Sequence, residues 1–152
     1  MANTPVVHLE HVSKSFGQLT VLKDVSFAVE SGEFVSIIGP SGAGKSTLFN
    51  IIAGLDTPTS GRATVNGTTA YMPQKDLLFP WRSILDNTAL GLEVQGTPKK
   101  EARARARELF PQFGLDGFED ALPFELSGGM RQRAALLRTV VQGKSTLLLD
   151  EP

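Results

Sequence analysis

The sequence predicts an α/β fold, and three observations carry that prediction. Residues 6–12 and 24–30 alternate apolar and polar side chains, as half-buried strands do. Residues 33–39 form a short, nearly continuous apolar run, which is typical of a strand buried on both faces of a parallel sheet. The second half of the chain instead repeats its apolar residues at helical spacing.

The elements that follow the apolar run can be assigned in order. Residues 39–47 are rich in glycine and lead into a helix that Gly54, or the turn at residues 56–58, should end. Residues 57–68 predict a turn and an edge hairpin, and residues 70–74 a short strand. The helix is indicated by the apolar spacing of Leu48, Ile51, Ile52 and Leu55.

Three helices and a final strand are expected after residue 76. Ser83 can cap the first helix, Pro98 opens the second, and residues 126–143 form the third. Residues 145–152 form an apolar strand that ends in two carboxylates. The second and third helices should bury stripes made of Ala102, Ala106, Leu109 and Phe113, and of Met130, Ala134, Leu137 and Val141.

Composition excludes several classes of function. The 15 Lys and Arg residues nearly balance the 16 Asp and Glu, so the net charge of −1 argues against binding nucleic acid by bulk charge. Arg103, Arg105 and Arg107 lie about 200° apart around a helix and form no single stripe. Cysteine is absent, and no apolar run approaches the roughly 18 residues of a membrane helix. A membrane role would therefore act through a partner.

Residues 39–47 fit the phosphate-loop pattern G-x-x-x-x-G-K-[ST]. Glycines bring backbone amides onto phosphate oxygens, and the following helix adds its positive end. Lys45 supplies a mobile charge to the β- and γ-phosphates, and the Ser46 hydroxyl can bind Mg²⁺. The candidate triphosphate-binding residues are Gly39, Pro40, Ser41, Gly42, Ala43, Gly44, Lys45, Ser46 and Thr47.

Asp150 and Glu151 end the last apolar strand. Ligands of open α/β sheets lie beyond the carboxyl ends of the strands, so both carboxylates should lie on the ligand side. Asp150 suits the Mg²⁺ shell, through water. Glu151 would act as the general base that polarises the water attacking the γ-phosphorus. Taken alone, the pair would favour a polar turn after a buried strand; the phosphate loop in the same chain favours the functional interpretation.

The sequence LSGG at residues 126–129 lies between the phosphate loop and the final strand, and this order resembles the ATP-binding cassette (ABC) family. The resemblance covers essentially the whole chain. It implies an α/β P-loop NTPase with a mostly parallel core sheet, an N-terminal antiparallel β subdomain and a helical insert. Residues 1–75 would form the β-rich and phosphate-loop core, 76–143 the insert, and 144–152 the strand of a single ABC ATPase domain. ATP and Mg²⁺ are the implied cofactors.

The same resemblance implies roles for further residues. Phe16 is similar to the family aromatic that stacks on adenine. Gln74 resembles the glutamine that reaches Mg²⁺ and the attacking water and senses the membrane partner. Glu151, Gln74 and Lys45 would be catalytic, and Ser46, Gln74 and Asp150 would surround the metal. Ser127, Gly128 and Gly129 resemble the signature that covers the γ-phosphate of nucleotide held by a second protomer, which implies a head-to-tail homodimer.

Two departures from the family pattern stand out. Met130 follows LSGG where glutamine is commoner, and its side chain cannot make that glutamine's hydrogen bonds. The family also has a strand with a switch histidine after the two carboxylates, whereas the histidines here are His8 and His11. We therefore expect an incomplete domain that is poorly stable and hydrolyses ATP slowly or not at all.

Residues 74–96 resemble the region that docks a permease helix in bacterial importers of the nitrate, sulfonate, taurine and thiamine-precursor group. The apolar cluster at residues 77–81 suits such a groove, or else packs the insert's own core. The implied setting is the cytoplasmic face of the cell membrane, with a periplasmic or lipid-anchored solute-binding protein as an indirect partner. The alternatives are a soluble ABC ATPase acting on ribosomes or DNA, a non-catalytic nucleotide-binding fragment, and a small P-loop kinase.

Overall fold

The computed structural model describes residues 4–152, which form two compact units divided between Thr69 and Ala70. Each unit has its own secondary structure. The predicted parts at residues 1–75, 76–143 and 144–152 stay a prediction. Within residues 4–152, no helix is both long enough and apolar enough to cross a bilayer.

The first unit is built on an antiparallel sheet of three strands. Strands β1 (Val7–Phe16) and β2 (Leu19–Val29) form a hairpin, and β3 (Ser60–Val65) pairs with the other edge of β1, so the order is β2-β1-β3. The predicted N-terminal antiparallel sheet is thus present, with longer strands than expected. The hairpin predicted within residues 57–68 is wrong, because β3 pairs with β1 instead of with its neighbour in sequence.

The strand predicted for residues 33–39 is also wrong. These residues form no strand, and Phe34 and Ile38 are 90% and 94% exposed. An apolar run becomes a buried strand only where neighbouring strands satisfy its backbone groups. Both described sheets are formed by other segments, so this run has no ladder partner in residues 4–152.

The second unit combines a two-stranded parallel sheet with three helices. Its strands are β4 (Thr69–Met72) and β5 (Thr146–Leu149). Between them lie α2 (Ile84–Val94), α3 (Lys99–Leu109) and α4 (Gly128–Val140), with short 3-10 turns at Pro111–Phe113 and Pro123–Glu125. This arrangement confirms the α/β class with a helical insert.

The helices of the second unit share one apolar core. The predicted stripes are confirmed: Ala102, Ala106, Ala134 and Leu137 are fully buried, and the other four predicted members pack against the core. The second helix ends at Leu109, earlier than predicted, because Pro111 has no N–H with which to continue it. Phe110 follows and is the largest fully buried side chain, and the predicted stripe did not include it.

Candidate functional site

The glycine-rich loop of the first unit leads directly into helix α1 (Lys45–Ile52). Gly44 is the N-cap residue and has a φ of +91°. A Cβ atom there would lie 2.9 Å from side-chain atoms of both Val21 and Leu22, so only glycine fits. No side chain caps the N-terminus of this helix, and the positive end of a helix suits an anion.

Lys45 folds back across this loop. Its Nζ atom donates to the carbonyl oxygens of Gly39, at 2.5 Å, and Pro40, at 3.0 Å. The ammonium therefore lies beside the loop backbone, where an incoming phosphate oxygen could replace a carbonyl as its acceptor. Residues 41–43 and Ser46 are exposed. The loop thus presents glycine backbone, an ammonium and a hydroxyl on one accessible segment, which suits a polyphosphate.

Phe16 lies at the end of β1 and is 52% exposed. The Lys14 Nζ atom lies 4.9 Å from the centre of its ring, which is cation–π distance. Lys14 is held by the Asp56 carboxylate at 2.7 Å and the Thr57 carbonyl at 2.8 Å. The hydrogen bond from Lys14 is the main cause that lowers the pKa of Asp56 below its usual range, and the hydrogen bond from the Thr57 amide is the second.

The role of Lys14 was not predicted, although the sequence contained a signal for it. Residues two apart on a strand share one face, so Lys14 and Phe16 had to be neighbours if β1 reached that far. The prediction ended that strand at residue 12 and so missed the pair. With Lys14 at the ring, Phe16 retains exposed surface on which a base could stack.

The second unit brings Gln74, Asp150 and Glu151 together beyond the ends of β4 and β5. The Gln74 side-chain amide donates to a Glu151 carboxylate oxygen at 2.7 Å. Asp150 is buried, and its backbone amide donates to the Met72 carbonyl at 2.9 Å. Glu151 is exposed and has a positive φ of 50°, an uncommon conformation for a residue with a side chain.

Asp150 also faces a tyrosine. The Tyr71 hydroxyl lies 3.5 Å from a carboxylate oxygen of Asp150. Burial raises the pKa of Tyr71, and the negative charge and hydrogen bonding of Asp150 raise it further. Tyr71 therefore remains a neutral donor beside this carboxylate. Tyr71 is not among the site residues predicted from the sequence.

The LSGG segment forms the start of α4. The Ser127 hydroxyl accepts a hydrogen bond from the Met130 amide at 3.2 Å and so caps the helix. Gly128 and Gly129 form the first turn, and all three residues are exposed. Bare glycine backbone at the positive end of a helix is a surface that suits an anion.

The apolar cluster at residues 77–81 divides between two environments. Leu78 joins the core, whereas Leu77 and Trp81 are 59% and 71% exposed. The rings of Phe79 and Trp81 lie 5.2 Å apart. The fully buried Asn87 side chain, which was not predicted, accepts from the Phe79 amide and donates to three carbonyls of the same loop.

Known proteins that are similar to this chain point to one family. Residues 22–152 match the family model described as ABC transporter. The chain is 46% identical to an uncharacterized ABC transporter ATP-binding protein, YtlC, of Bacillus subtilis, covering 96% of this chain and 61% of that protein. It is 48% identical to the formylaminopyrimidine import ATP-binding protein ThiZ of Halalkalibacterium halodurans, covering 94% and 59%.

A solved structure is also similar. It is a dimeric ATP-binding cassette in a post-hydrolysis state, bound to ADP and Pi. The TM-score is 0.86 and the identity 32%, with 94% of this chain and 72% of that chain covered. The present chain spans about 60% of the length of the two curated relatives.

Proposed function

The chain belongs to the ABC transporter family, and from this premise we propose that its protein binds and hydrolyses Mg-ATP to power the import of a small solute through a membrane permease. The observation that carries the proposal is the phosphate loop, where Gly44 can only be glycine and Lys45 lies across the loop backbone. The similarity to a cassette bound to ADP and Pi supports nucleotide as the ligand.

ATP would be held by residues 39–47 and by Phe16. The loop amides and the start of α1 would bind the phosphates, with Lys45 exchanging a carbonyl acceptor for a phosphate oxygen. Adenine would stack on Phe16, whose ring already lies against the Lys14 ammonium. The Ser46 hydroxyl in the first unit, and the Gln74 amide and Asp150 carboxylate oxygens in the second, are each of a kind that would bind Mg²⁺, directly or through water.

Glu151 would act as the general base for hydrolysis. Its carboxylate is exposed, and it accepts a hydrogen bond from Gln74, so a water beside it would contact both the base and a polar side chain. Mg²⁺ neutralises charge on the phosphates when it is bound. We assign the base to Glu151 because the Asp150 carboxylate is buried beside Tyr71.

A second copy of the chain and a permease would be the partners. Ser127, Gly128 and Gly129 would cover the γ-phosphate held by the other copy, and the dimeric state of the similar cassette supports this arrangement. The exposed Leu77 and Trp81 would contact the permease from the cytoplasmic face of the membrane. Nitrate, sulfonates, taurine and thiamine precursors are the solutes we propose to test, and a formylaminopyrimidine import relative supports including pyrimidines.

ATP binding by matched lysine variants tests the proposal. Lys45→Ala should weaken ATP binding about 10- to 100-fold, because a charge-assisted contact to phosphate is lost. Lys23→Ala, at an exposed position on β2, is the control and should bind as the wild type does. Equilibrium dialysis with Mg-ATP gives both constants. Equal affinity of the two variants would refute the phosphate-loop assignment.

A further inference from the structure

The segment at residues 74–77 is the starting point, because it carries Gln74 but lies outside every helix and strand. Leu77 has a positive φ of 47°, which is costly for a residue with a branched side chain. A backbone held in such a conformation needs contacts that fix it. The Asp76 carboxylate supplies one by accepting from the Leu78 amide at 3.1 Å.

Helix α4 supplies the others. The Arg138 guanidinium donates to two consecutive backbone carbonyls, those of Asp76 at 2.5 Å and Leu77 at 2.9 Å. Arg131 pairs with the Asp76 carboxylate at 3.2 Å, and the Gln132 amide donates to the Gln74 carbonyl at 3.2 Å. Every one of these contacts joins the segment to the helix whose N-terminus carries the signature.

Arg138 differs from Arg131 in the part of the segment to which it donates. Its planar fork of donors spans two carbonyls and so fixes the backbone where Leu77 is strained, whereas Arg131 fixes a side chain. Burial lowers the pKa of Arg138, while the charge of Asp76 opposes that shift. A guanidinium stays charged in proteins, so the partly buried Arg138 cation needs these two carbonyls as hydrogen-bond acceptors.

We propose that Arg138 is a positioning residue that fixes residues 76–77 to α4 and thereby keeps the Gln74 side chain on Glu151. The proposal rests on the proposed ATPase function. Its consequence is that a movement of α4 shifts Gln74 relative to the general base. The guanidinium of Arg138 donates to the carbonyls of Asp76 and Leu77, and its own carbonyl accepts from the Gln142 side chain, so its effect on Gln74 must pass through the segment backbone.

A double-mutant cycle in the ATPase assembled with its permease tests this route. Arg138→Met should lower the hydrolysis rate at saturating ATP by about tenfold or more, since small displacements of catalytic groups have large effects. The affinity for ATP should stay unchanged, and the Mg²⁺ concentration for half-maximal rate should rise. Arg133→Met, an exposed arginine of the same helix, is the matched control and should leave all three unchanged.

The decisive comparison is made in the Gln74→Ala background. If Arg138 acts through Gln74, adding Arg138→Met to Gln74→Ala lowers the rate less than about twofold further. Effects that multiply would overturn the proposal, as would an Arg138→Met variant that matches Arg133→Met. A general loss of stability would multiply with Gln74→Ala, so the cycle separates positioning from a merely structural role.

Amide hydrogen exchange tests the role of Arg138 independently of ATP hydrolysis. A wild-type protein that fails to hydrolyse ATP would refute the proposed function, and the exchange rates would then decide the inference alone. Arg138→Met should accelerate exchange of the Leu78 amide, which the Asp76 carboxylate protects, by more than about tenfold. The Phe79 amide, held by Asn87, should not change. Unchanged exchange at Leu78 would overturn the inference.

Discussion

Asn87 offers a sharp test of how the second unit is held together. Its side chain is fully buried and accepts from the Phe79 amide at 2.7 Å. It also donates to the carbonyls of Phe79, Arg82 and Ser83 at 3.1, 3.0 and 3.0 Å. One amide group therefore organises the loop that presents Phe79 and Trp81.

The expected cost of Asn87→Ala follows from which groups lose a partner. The Phe79 carbonyl keeps the Arg82 amide as donor, and the Ser83 carbonyl keeps the backbone amide of residue 87. The Phe79 amide and the Arg82 carbonyl lose the bonds described above. At about 1–3 kcal/mol for each unsatisfied group, and with water reaching part of this loop, we expect a loss of about 2–4 kcal/mol in the free energy of unfolding.

Urea unfolding followed by the fluorescence of Trp81, the single tryptophan, measures this loss. Asn87→Asp is the companion variant, because it retains the acceptor but directs a carboxylate at three carbonyls. We expect it to be at least as destabilised at pH 7. Those carbonyls raise the folded-state pKa of the introduced carboxyl, so stability should recover as the pH falls towards about 5. A loss below about 1 kcal/mol for Asn87→Ala, or no pH dependence for Asn87→Asp, would refute the reasoning.

Two further predictions concern aromatic side chains. Phe110→Ala should lower the free energy of unfolding by about 3–5 kcal/mol, because this side chain is completely buried in the core. Leu109→Ala, at a half-buried position, is the control and should lower it clearly less. Similar losses for the two variants in urea unfolding would contradict the core assignment. Phe16→Ala should weaken binding of ATP by about 1–3 kcal/mol but leave inorganic triphosphate unaffected, since stacking involves the base alone. Phe34→Ala, an exposed phenylalanine of the same unit, is the control in that calorimetric titration, and an equal loss for both ligands would argue against stacking.

Local patterns predicted the helical insert well. The stripes that include Ala102, Ala106, Ala134 and Leu137 follow from the 3.6-residue period alone, and the structure buries all four. The start of α1 follows from the glycine and lysine spacing, because the loop and helix N-terminus are one local motif. Such features depend on residues that are close in the chain.

Features that depend on distant partners were missed or wrong. Residues 33–39 have the composition of a buried strand, but whether they form one depends on pairing, and Phe34 and Ile38 are exposed. Arg138 looks like a surface residue of α4 by sequence, and its role appears only when residues 76–77 are brought beside it. Phe110 is a different case: it lies four residues after Ala106 and has helical backbone angles, so the helical period places it on the buried face, although the predicted stripe did not include it.

The residues of the proposed site also fall into two groups, those predicted from the sequence and those that were not. The identities of Gln74, Asp150 and Glu151 came from the order of motifs along the chain, and the structure brings them together beyond β4 and β5. Tyr71 and Lys14 belong to no motif. Tyr71 contacts Asp150 from the neighbouring strand, and Lys14 contacts Phe16 two residues further along the same strand. The roles of all these residues remain proposals that the variants above address.

The account rests on Glu151 as the base that activates water for attack on bound ATP. The most direct measurement is the nucleotide retained by Glu151→Gln in the protein assembled with its permease, after incubation with Mg-ATP and removal of free nucleotide. We predict that the variant keeps unhydrolysed ATP, one molecule for each copy, in a closed dimer, because binding persists while the base is lost. Retention of ADP, or turnover at the wild-type rate, would contradict the account.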